Sequence, residues 1–210
     1  MDKKWPHRLF VTGTGTGVGK TLVCAILMTG LKCIYWKPVQ SGLEGMTDTQ
    51  SVSTLTGLPD SHFAKETYRL KYPVSPHASS AREGVTIELE SFKVPEIEDD
   101  THLVVEGAGG IMVPLNDYHF MLDLMKKLNF PLLLVALSSL GTINHTLLSL
   151  EQLRRHGLNV LGIVMNGRRN EDNRRAIECY GKVRVLAEIE PIGRINFRTL
   201  LNSFQTDFHL

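Results

Sequence analysis

A glycine-rich segment near the start of the chain leaves few folds open to it. Residues 13–21 read GTGTGVGKT, and they follow a short apolar run, residues 9–12, that indicates a β-strand. A mostly apolar stretch that we interpret as a helix begins within the segment and covers residues 20–31. Glycines let the backbone turn several N–H groups toward one anion, and the helix N-terminus adds its positive end. The order of strand, loop and helix therefore predicts a phosphate-binding loop.

Two residues of this segment carry specific chemistry. Lys20 is placed to reach the β- and γ-phosphates of a nucleotide, and the Thr21 hydroxyl to hold Mg²⁺. The spacing departs from Gly-x4-Gly-Lys-Thr, because position 14 is Thr14 and the first glycine is one residue earlier, at Gly13. Two alternatives are a turn that binds nothing and a dinucleotide-binding loop. The second expects an acid at the end of the next strand, where this chain has a lysine.

The rest of the chain alternates short apolar runs with longer amphipathic ones. This pattern predicts an α/β fold with an open, mostly parallel sheet and helices on both faces. At 210 residues, with 42% hydrophobic and 21% charged residues, one domain spanning residues 1–210 is expected. We predict strands at residues 9–12, 34–36, 103–106, 132–137 and 160–165, and helices at 20–31, 47–55, 119–128, 143–156 and 170–180. Residues 91–100 and those after 187 receive no assignment.

Charge and cysteine content exclude several classes of protein. Lys plus Arg is 23 and Asp plus Glu is 22, so the net charge of +1 argues against a protein that coats nucleic acid or acidic membranes. No apolar run approaches the ~18 residues of a membrane helix, and the first residues lack a signal-peptide pattern. Cys24, Cys33 and Cys179 form no CxxC motif and are expected to be buried free thiols. We therefore expect a cytoplasmic protein.

Three charged residues outside the loop are candidates for the same site. Glu106 ends an apolar strand and precedes the small residues GAGG; beside a phosphate loop such a carboxylate helps to place a metal, although it could also cap a helix. Lys37 ends the second strand, at the edge where open α/β sheets bind ligands. Asp48 lies in the sequence TDT, where the alternative is helix capping.

Six motifs occur in the order in which one enzyme family has them. The phosphate loop is followed by KPVQSG at residues 37–42, SPH at 75–77, VEGAGG at 105–110 and GTINH at 141–145, and Asn166 comes after a late strand. Together they cover the chain from residue 9 to about 167. On these motifs the chain resembles the dethiobiotin synthetases, which have a P-loop fold and belong to biotin biosynthesis.

The resemblance implies an ATP-dependent ligase. Such an enzyme captures CO₂ on an amine of 7,8-diaminononanoate as a carbamate. The carbamate oxygen attacks the γ-phosphate of ATP to give a mixed anhydride, and the second amine then closes the ureido ring and expels phosphate. The resemblance also implies Mg²⁺ as cofactor and a homodimer with active sites at the subunit interface, with no nucleic acid and no membrane as partners.

The family's functional residues map onto matching positions of this chain. The resemblance implies catalytic roles for Thr16, Lys20 and Lys37. ATP contacts are implied for Gly17, Val18, Gly19, Lys20, Thr21, Leu22, Asp48, Glu106, Gly107, Ala108, Gly109 and Asn166. Contacts with the diamine substrate are implied for Thr16, Lys37, Ser41, Gly141, Thr142, Ile143 and Asn144. Ligation of Mg²⁺ is implied for Thr21, Asp48 and Glu106.

The chain departs from the family's pattern at three places, and two other functions stay open. Gly15 replaces the loop's usual Asp, residues 90–100 are shorter than the family's helix, and Glu190 intervenes before Pro191, which bears on the adenine pocket. A switch ATPase of the ParA/MinD type would carry a signature lysine at position 15. An amidase of the cobyrinate a,c-diamide synthase type would usually carry a second domain, for which 210 residues leave little room.

Overall fold

The computed structural model describes residues 5–209, and its centre is a parallel sheet. Seven strands pair in the order β4-β2-β6-β1-β7-β8-β9, and β3 pairs with β5 in a separate parallel ribbon. The strands are β1 (Arg8–Gly13), β2 (Ile34–Trp36), β3 (Val39–Ser41), β4 (Phe63–Ala64), β5 (Tyr68–Leu70), β6 (Leu103–Glu106), β7 (Leu132–Leu137), β8 (Val160–Asn166) and β9 (Val185–Ile189). The helices are α1 (Lys20–Leu31), α2 (Asp48–Thr56), α3 (Pro76–Arg82), α4 (Met121–Leu128), α5 (Thr142–Arg155), α6 (Glu171–Gly181) and α7 (Phe197–Asp207).

Helices cover both faces of the main sheet, as predicted. Successive strand residues point to opposite faces, so Phe10 joins one buried apolar cluster while its neighbours Leu9 and Val11 join the other. The first cluster includes side chains of α4, α5 and α6, and the second includes those of α1, α2 and α7. A sheet buried on both sides needs apolar residues at consecutive positions, which is why its strands appear as short continuous apolar runs.

Most predicted elements are confirmed, with ends that differ by one or two residues, whereas the short elements β3, β4, β5 and α3 had no prediction. The first helix and the strands at residues 34–36, 103–106 and 132–137 have the predicted bounds. Thr47 is the N-cap of α2 rather than part of it, because its hydroxyl accepts the N–H of Gln50 while the Gln50 side chain accepts the N–H of Thr47. The fourth helix begins at Met121, two residues later than predicted.

The segments without a prediction differ in structure. Residues 91–100 contain no α-helix; a short 3₁₀ turn, Leu89–Ser91, precedes an irregular stretch. The region after residue 187 completes the edge strand β9 and forms α7, whose side chains pack on α1. Among the described residues, no helix is long and apolar enough to cross a membrane.

The prediction for the cysteines is right in two cases and wrong in one. All three are free thiols, and Cys24 and Cys33 are buried. Burial raises the pKa of Cys33 to about 12, so this thiol stays protonated. Cys179 is exposed on α6, because it lies on the solvent side of an amphipathic helix that buries Ile177.

Candidate active site

The phosphate loop joins β1 to α1, and its glycines adopt conformations that other residues avoid. Gly17 and Gly19 have φ angles of 75° and 99°. Lys20 Nζ donates to the Gly15 carbonyl at 3.0 Å, so the lysine folds back over the loop. The Asn166 amide, at the end of β8, donates to the Val18 carbonyl at 3.0 Å and fixes the loop from outside. The loop is thus held by one side chain from within it and one from β8.

The ammonium of Lys20 lies in an environment that favours an anion. It is largely buried, and burial lowers its pKa; the nearby positive charge of Lys37 lowers the pKa further, against smaller opposing effects of Glu106 and Asp48. Its one hydrogen-bond acceptor among the described residues is a neutral carbonyl. A phosphate placed here would supply the missing negative charge, as the sequence predicts.

Two carboxylates and a lysine converge beside the loop. Lys37 Nζ lies 2.6 Å from Asp48 Oδ2, 3.0 Å from Glu106 Oε1 and 3.0 Å from the Gly107 carbonyl oxygen, so each of its three N–H groups has an acceptor. The Thr21 hydroxyl lies 3.0 Å from Glu106 Oε1 and 3.3 Å from Asp48 Oδ1. Four side chains that were predicted from separate motifs therefore form one cluster.

The alternation of strand residues explains why Lys37 and Glu106 meet. Strands β2 and β6 are parallel neighbours, with Tyr35 opposite Val104 in the register. Residues two positions further on point to the same face, so the side chains of Lys37 and Glu106 emerge together at the carboxyl edge. This is the face that α1 covers, and α1 contributes Thr21.

Opposing effects act on the charge of Lys37. The side chain is almost wholly buried, and burial alone would lower its pKa. The carboxylates of Glu106 and Asp48 more than compensate, so the pKa of Lys37 is raised and the ammonium stays charged. The cluster therefore holds a permanent positive charge between two carboxylates.

The start of α2 positions Asp48 through a residue that the sequence analysis did not identify. Gln40, on β3, accepts the backbone N–H of Asp48 with its side-chain oxygen at 3.0 Å. Thr47 caps the helix, so the Asp48 carboxylate is not used for capping and points to Lys37 and Thr21. The capping alternative for Asp48 is therefore wrong, and the one for Glu106 is likewise not seen.

These residues line one cleft of about 630 Å³. Its wall includes Thr16, Gly17, Gly19, Lys20, Thr21, Lys37, Ser41, Asp48, Glu106, Ala108 and Gly109, all of them predicted. The opposite wall comes from residues 73–76, where Ser75 Oγ lies 3.0 Å from His77 Nδ1. The hydroxyl of Ser41 is buried and has no hydrogen-bond partner within residues 5–209, so it is available to a ligand.

The turn predicted to bind substrate lies outside this cleft. Gly141 is the N-cap of α5, with a φ of 94° and no side-chain capping bond, so the alternative of a plain cap by Thr142 or Asn144 is wrong. Thr142 lines a hollow of about 300 Å³ on the far side of the phosphate loop, together with Thr14, Gly15 and Leu140. Within one chain the structure does not bring residues 141–144 to Lys37.

Three polar residues of the site received no role in the sequence analysis, although Gln40 and Ser75 stand within its motifs. Tyr35 and Gln40 contact the cluster, and Ser75 lines the cleft. The sequence does contain one indication that Tyr35 makes a specific hydrogen bond, because a tyrosine in a buried strand needs a partner for its hydroxyl. The partner itself, 71 residues away, could not be identified without the sheet order.

Comparison with known sequences finds relatives that are named dethiobiotin synthetases. A family model described as an AAA domain matches residues 7–199. The ATP-dependent dethiobiotin synthetase BioD of Paramagnetospirillum magneticum is 50% identical over 192 residues, which cover 91% of this chain and 92% of that protein. The protein of the same name from Nitrobacter hamburgensis is 46% identical over 201 residues, covering 96% and 94%.

Solved structures of similar shape support the fold alone. A ParA family ATPase from Chlorobium tepidum has a TM-score of 0.55 at 12% identity, covering 97% of this chain and 91% of that chain. The MinC:MinD cell division complex of Aquifex aeolicus gives a TM-score of 0.52 at 12% identity, covering 94% and 86%. Both belong to the P-loop ATPases, which confirms the predicted fold class.

Proposed function

The chain belongs to the family of ATP-dependent dethiobiotin synthetases, and from this premise we propose how its cleft carries out the ligase reaction of biotin biosynthesis. The observation that carries the proposal is the convergence of Lys37, Asp48, Glu106 and Thr21 beside a loop built for phosphate. The switch ATPase alternative is not favoured, since position 15 is Gly15 and the relatives of similar sequence are synthetases.

We propose that Mg²⁺ is held by the Asp48 and Glu106 carboxylates and the Thr21 hydroxyl. These are hard oxygen ligands, and both carboxylates lie within hydrogen-bond distance of the Thr21 hydroxyl. The remaining ligands of such a metal would come from phosphate and water. When bound, Mg²⁺ would neutralise charge on the β- and γ-phosphates.

The residues of the chain then have distinct tasks. The loop N–H groups and Lys20 would hold the phosphates in place, and Asn166, which the resemblance assigns to ATP binding, steadies the loop through its bond to the Val18 carbonyl. Phosphoryl transfer needs mainly positioning and charge neutralisation, and Lys37, which lines the cleft, would neutralise charge as a carbamate oxygen attacks the γ-phosphate. Thr16 and Ser41 line the same space and offer hydroxyls to the carbamate.

The proposed reaction joins three substrates in the cleft. One amine of 7,8-diaminononanoate takes up CO₂ as a carbamate and loses a proton. The carbamate oxygen bonds to the γ-phosphorus while ADP leaves. The second amine attacks the carbonyl carbon of the anhydride and loses a proton, phosphate leaves with the electron pair, and the ureido ring of dethiobiotin is closed.

We further propose a homodimer in the cytoplasm. Four exposed apolar side chains, which we call the α5 patch, surround His145 near the phosphate loop: Met112, Leu137, Leu140 and Leu148. A contiguous apolar surface of this kind is typical of a protein interface. A partner subunit seated there would place residues 141–144 next to its neighbour's substrate. The free thiols Cys24 and Cys33 fit a reducing compartment.

Product analysis tests the reaction directly. The protein is incubated with 7,8-diaminononanoate, bicarbonate, Mg²⁺ and ATP, and dethiobiotin is sought by mass. We expect product only when ATP is present, together with one ADP per ring closed. ATP hydrolysis without dethiobiotin would favour the switch ATPase, and the Lys37→Ala variant serves as the negative control.

A further inference from the structure

A buried tyrosine contacts the carboxylate on which the proposed metal site depends. Tyr35 lies on β2 and is fully buried, and its hydroxyl is 2.8 Å from Glu106 Oε2. Both partners of this bond are shielded from water. An ionised carboxylate can only accept, so the phenol is the donor.

The two oxygens of Glu106 therefore have different partners. Oε1 accepts from Thr21 and Lys37, each at 3.0 Å, and both of these side chains line the cleft. Oε2 is occupied by Tyr35 on the side away from the cleft. With one oxygen held, the carboxylate cannot rotate about its own axis without breaking a buried hydrogen bond.

We propose that Tyr35 is a positioning residue, which fixes the Glu106 carboxylate so that Oε1 faces the metal and Lys37. The inference rests on the proposed function, since it concerns the metal site of that same cleft. Groups that orient metal ligands commonly change metal affinity by 10–100-fold when they are removed. Tyr35 would act in this way without touching substrate.

Packing alone does not require the hydroxyl. The ring lies in the apolar cluster with Cys24 and Val104, edge-on to Phe63 with the ring centroids 6.1 Å apart. A phenylalanine would fill the same space, and it would avoid burying a polar group. Within residues 5–209 the hydroxyl has one hydrogen-bond partner, Glu106, so its contribution is directed at that carboxylate.

The test measures nucleotide binding rather than turnover. ADP is titrated into the full-length protein by calorimetry at a series of Mg²⁺ concentrations. Tyr35→Phe should raise the Mg²⁺ needed for half-maximal enhancement of ADP binding by roughly tenfold. Binding of ADP without Mg²⁺ should change little, because the loop and Lys20 are untouched.

A matched control separates this effect from a general loss of stability. Tyr68→Phe also removes a hydrogen-bonded phenol hydroxyl. This hydroxyl accepts the Glu88 N–H at a distance of 2.9 Å, in a part of the structure away from the cleft. It should leave the Mg²⁺ dependence unchanged. Tyr35→Leu removes the Tyr35 hydroxyl with a different side-chain volume, so a shift common to Tyr35→Phe and Tyr35→Leu cannot come from packing.

A double-mutant cycle shows whether Tyr35 acts through Glu106. In a Glu106→Gln background, Tyr35→Phe should cause no further tenfold shift. An unchanged Mg²⁺ dependence in Tyr35→Phe, with the wild type clearly dependent on Mg²⁺, would overturn the role of Tyr35 and leave the proposed function intact. If ADP binding by the wild type does not depend on Mg²⁺, both the proposed metal site and the proposed role of Tyr35 are wrong.

Discussion

In the proposed mechanism, Lys37 is the residue on which the chemistry of the cleft depends most. We expect Lys37→Ala to lower kcat by about a hundredfold or more, because it removes a charge that acts on the transition state. ADP affinity should stay within a few-fold, since the loop and Lys20 remain. Steady-state kinetics and calorimetry measure the two quantities, with the exposed Lys126→Ala as the control. A normal kcat in Lys37→Ala would contradict this assignment.

We also expect Lys37→Ala to lower the stability of the protein, because Lys37 separates two carboxylates of the cluster. Without the ammonium, the carboxylates of Asp48 and Glu106 face each other with no cation between them. Removing one partner of a buried ion pair costs roughly 3 kcal/mol. Lys37→Ala should therefore unfold at lower urea concentration than wild type in the absence of Mg²⁺, and added Mg²⁺ should reduce the difference.

The two carboxylates are expected to set the metal requirement. Asp48→Asn and Glu106→Gln keep the shape of the side chain and remove its charge. Each should raise the Mg²⁺ concentration for half-maximal activity by roughly tenfold or more, a loss of about 1.4 kcal/mol in binding. Glu90→Gln, an exposed change remote from the cleft, is the control. If neither variant alters the Mg²⁺ dependence, the metal is bound elsewhere.

In the loop between β1 and α1, two glycines differ in what a substitution by alanine is expected to do. A Cβ on Gly19, at a φ of 99°, would clash with the Asn166 amide nitrogen, whereas a Cβ on Gly15 would meet nothing within 4 Å. Gly19→Ala should weaken ADP binding strongly and destabilise the protein by about 1–3 kcal/mol. Gly15→Ala, the matched control, should do neither. Equal ADP affinities in the two variants would show that the loop is not held as described.

How well an element could be predicted depended on where its stabilising contacts come from. The bounds of α1 and β6 followed from the sequence, because a phosphate loop and an apolar run are local signals. The ribbon of β3 and β5 consists of three-residue strands, too short to show a period of two. Helix α7 owes its place to packing against α1, which no local pattern reveals.

The same distinction applies to the candidate site. Lys20 and Thr21 were recognisable from nine consecutive residues, whereas Lys37, Asp48 and Glu106 were candidates from their places at strand ends and in the sequence TDT, and the order of several motifs linked them to one site. The contribution of Tyr35 depends on the pairing of β2 with β6, a contact between residues 71 apart. Residues whose role is set by the sheet order, rather than by neighbours in sequence, could not be assigned before the fold was known.

At the scale of the whole molecule, residues 141–144 and Lys37 lie on opposite sides of the phosphate loop, and a dimer would explain this separation. Gly141 is the N-cap of α5 and adjoins the α5 patch, where Leu140 and Leu148 are exposed. A two-fold dimer through this patch would bring the turn of one subunit to the cleft of the other, and two-fold dimers are the commonest oligomers. The N–H groups that start α5 suit the carboxylate of the diamine substrate. Asn144→Ala should then raise KM for 7,8-diaminononanoate and leave KM for ATP nearly unchanged.

A mixed dimer tests the shared site directly. Lys37→Ala impairs one half of the proposed site and Asn144→Ala the other, so each parent dimer has two defective sites. Random reassociation of equal amounts makes half of the dimers mixed, and each mixed dimer regains one site with both halves intact, about a quarter of all sites. Differently tagged subunits allow the mixed species to be purified and assayed at low substrate concentration. Activity well above the mean of the two parents is expected, whereas a verified mixed dimer without that gain, or a fully active monomer, would show that each subunit carries its whole site.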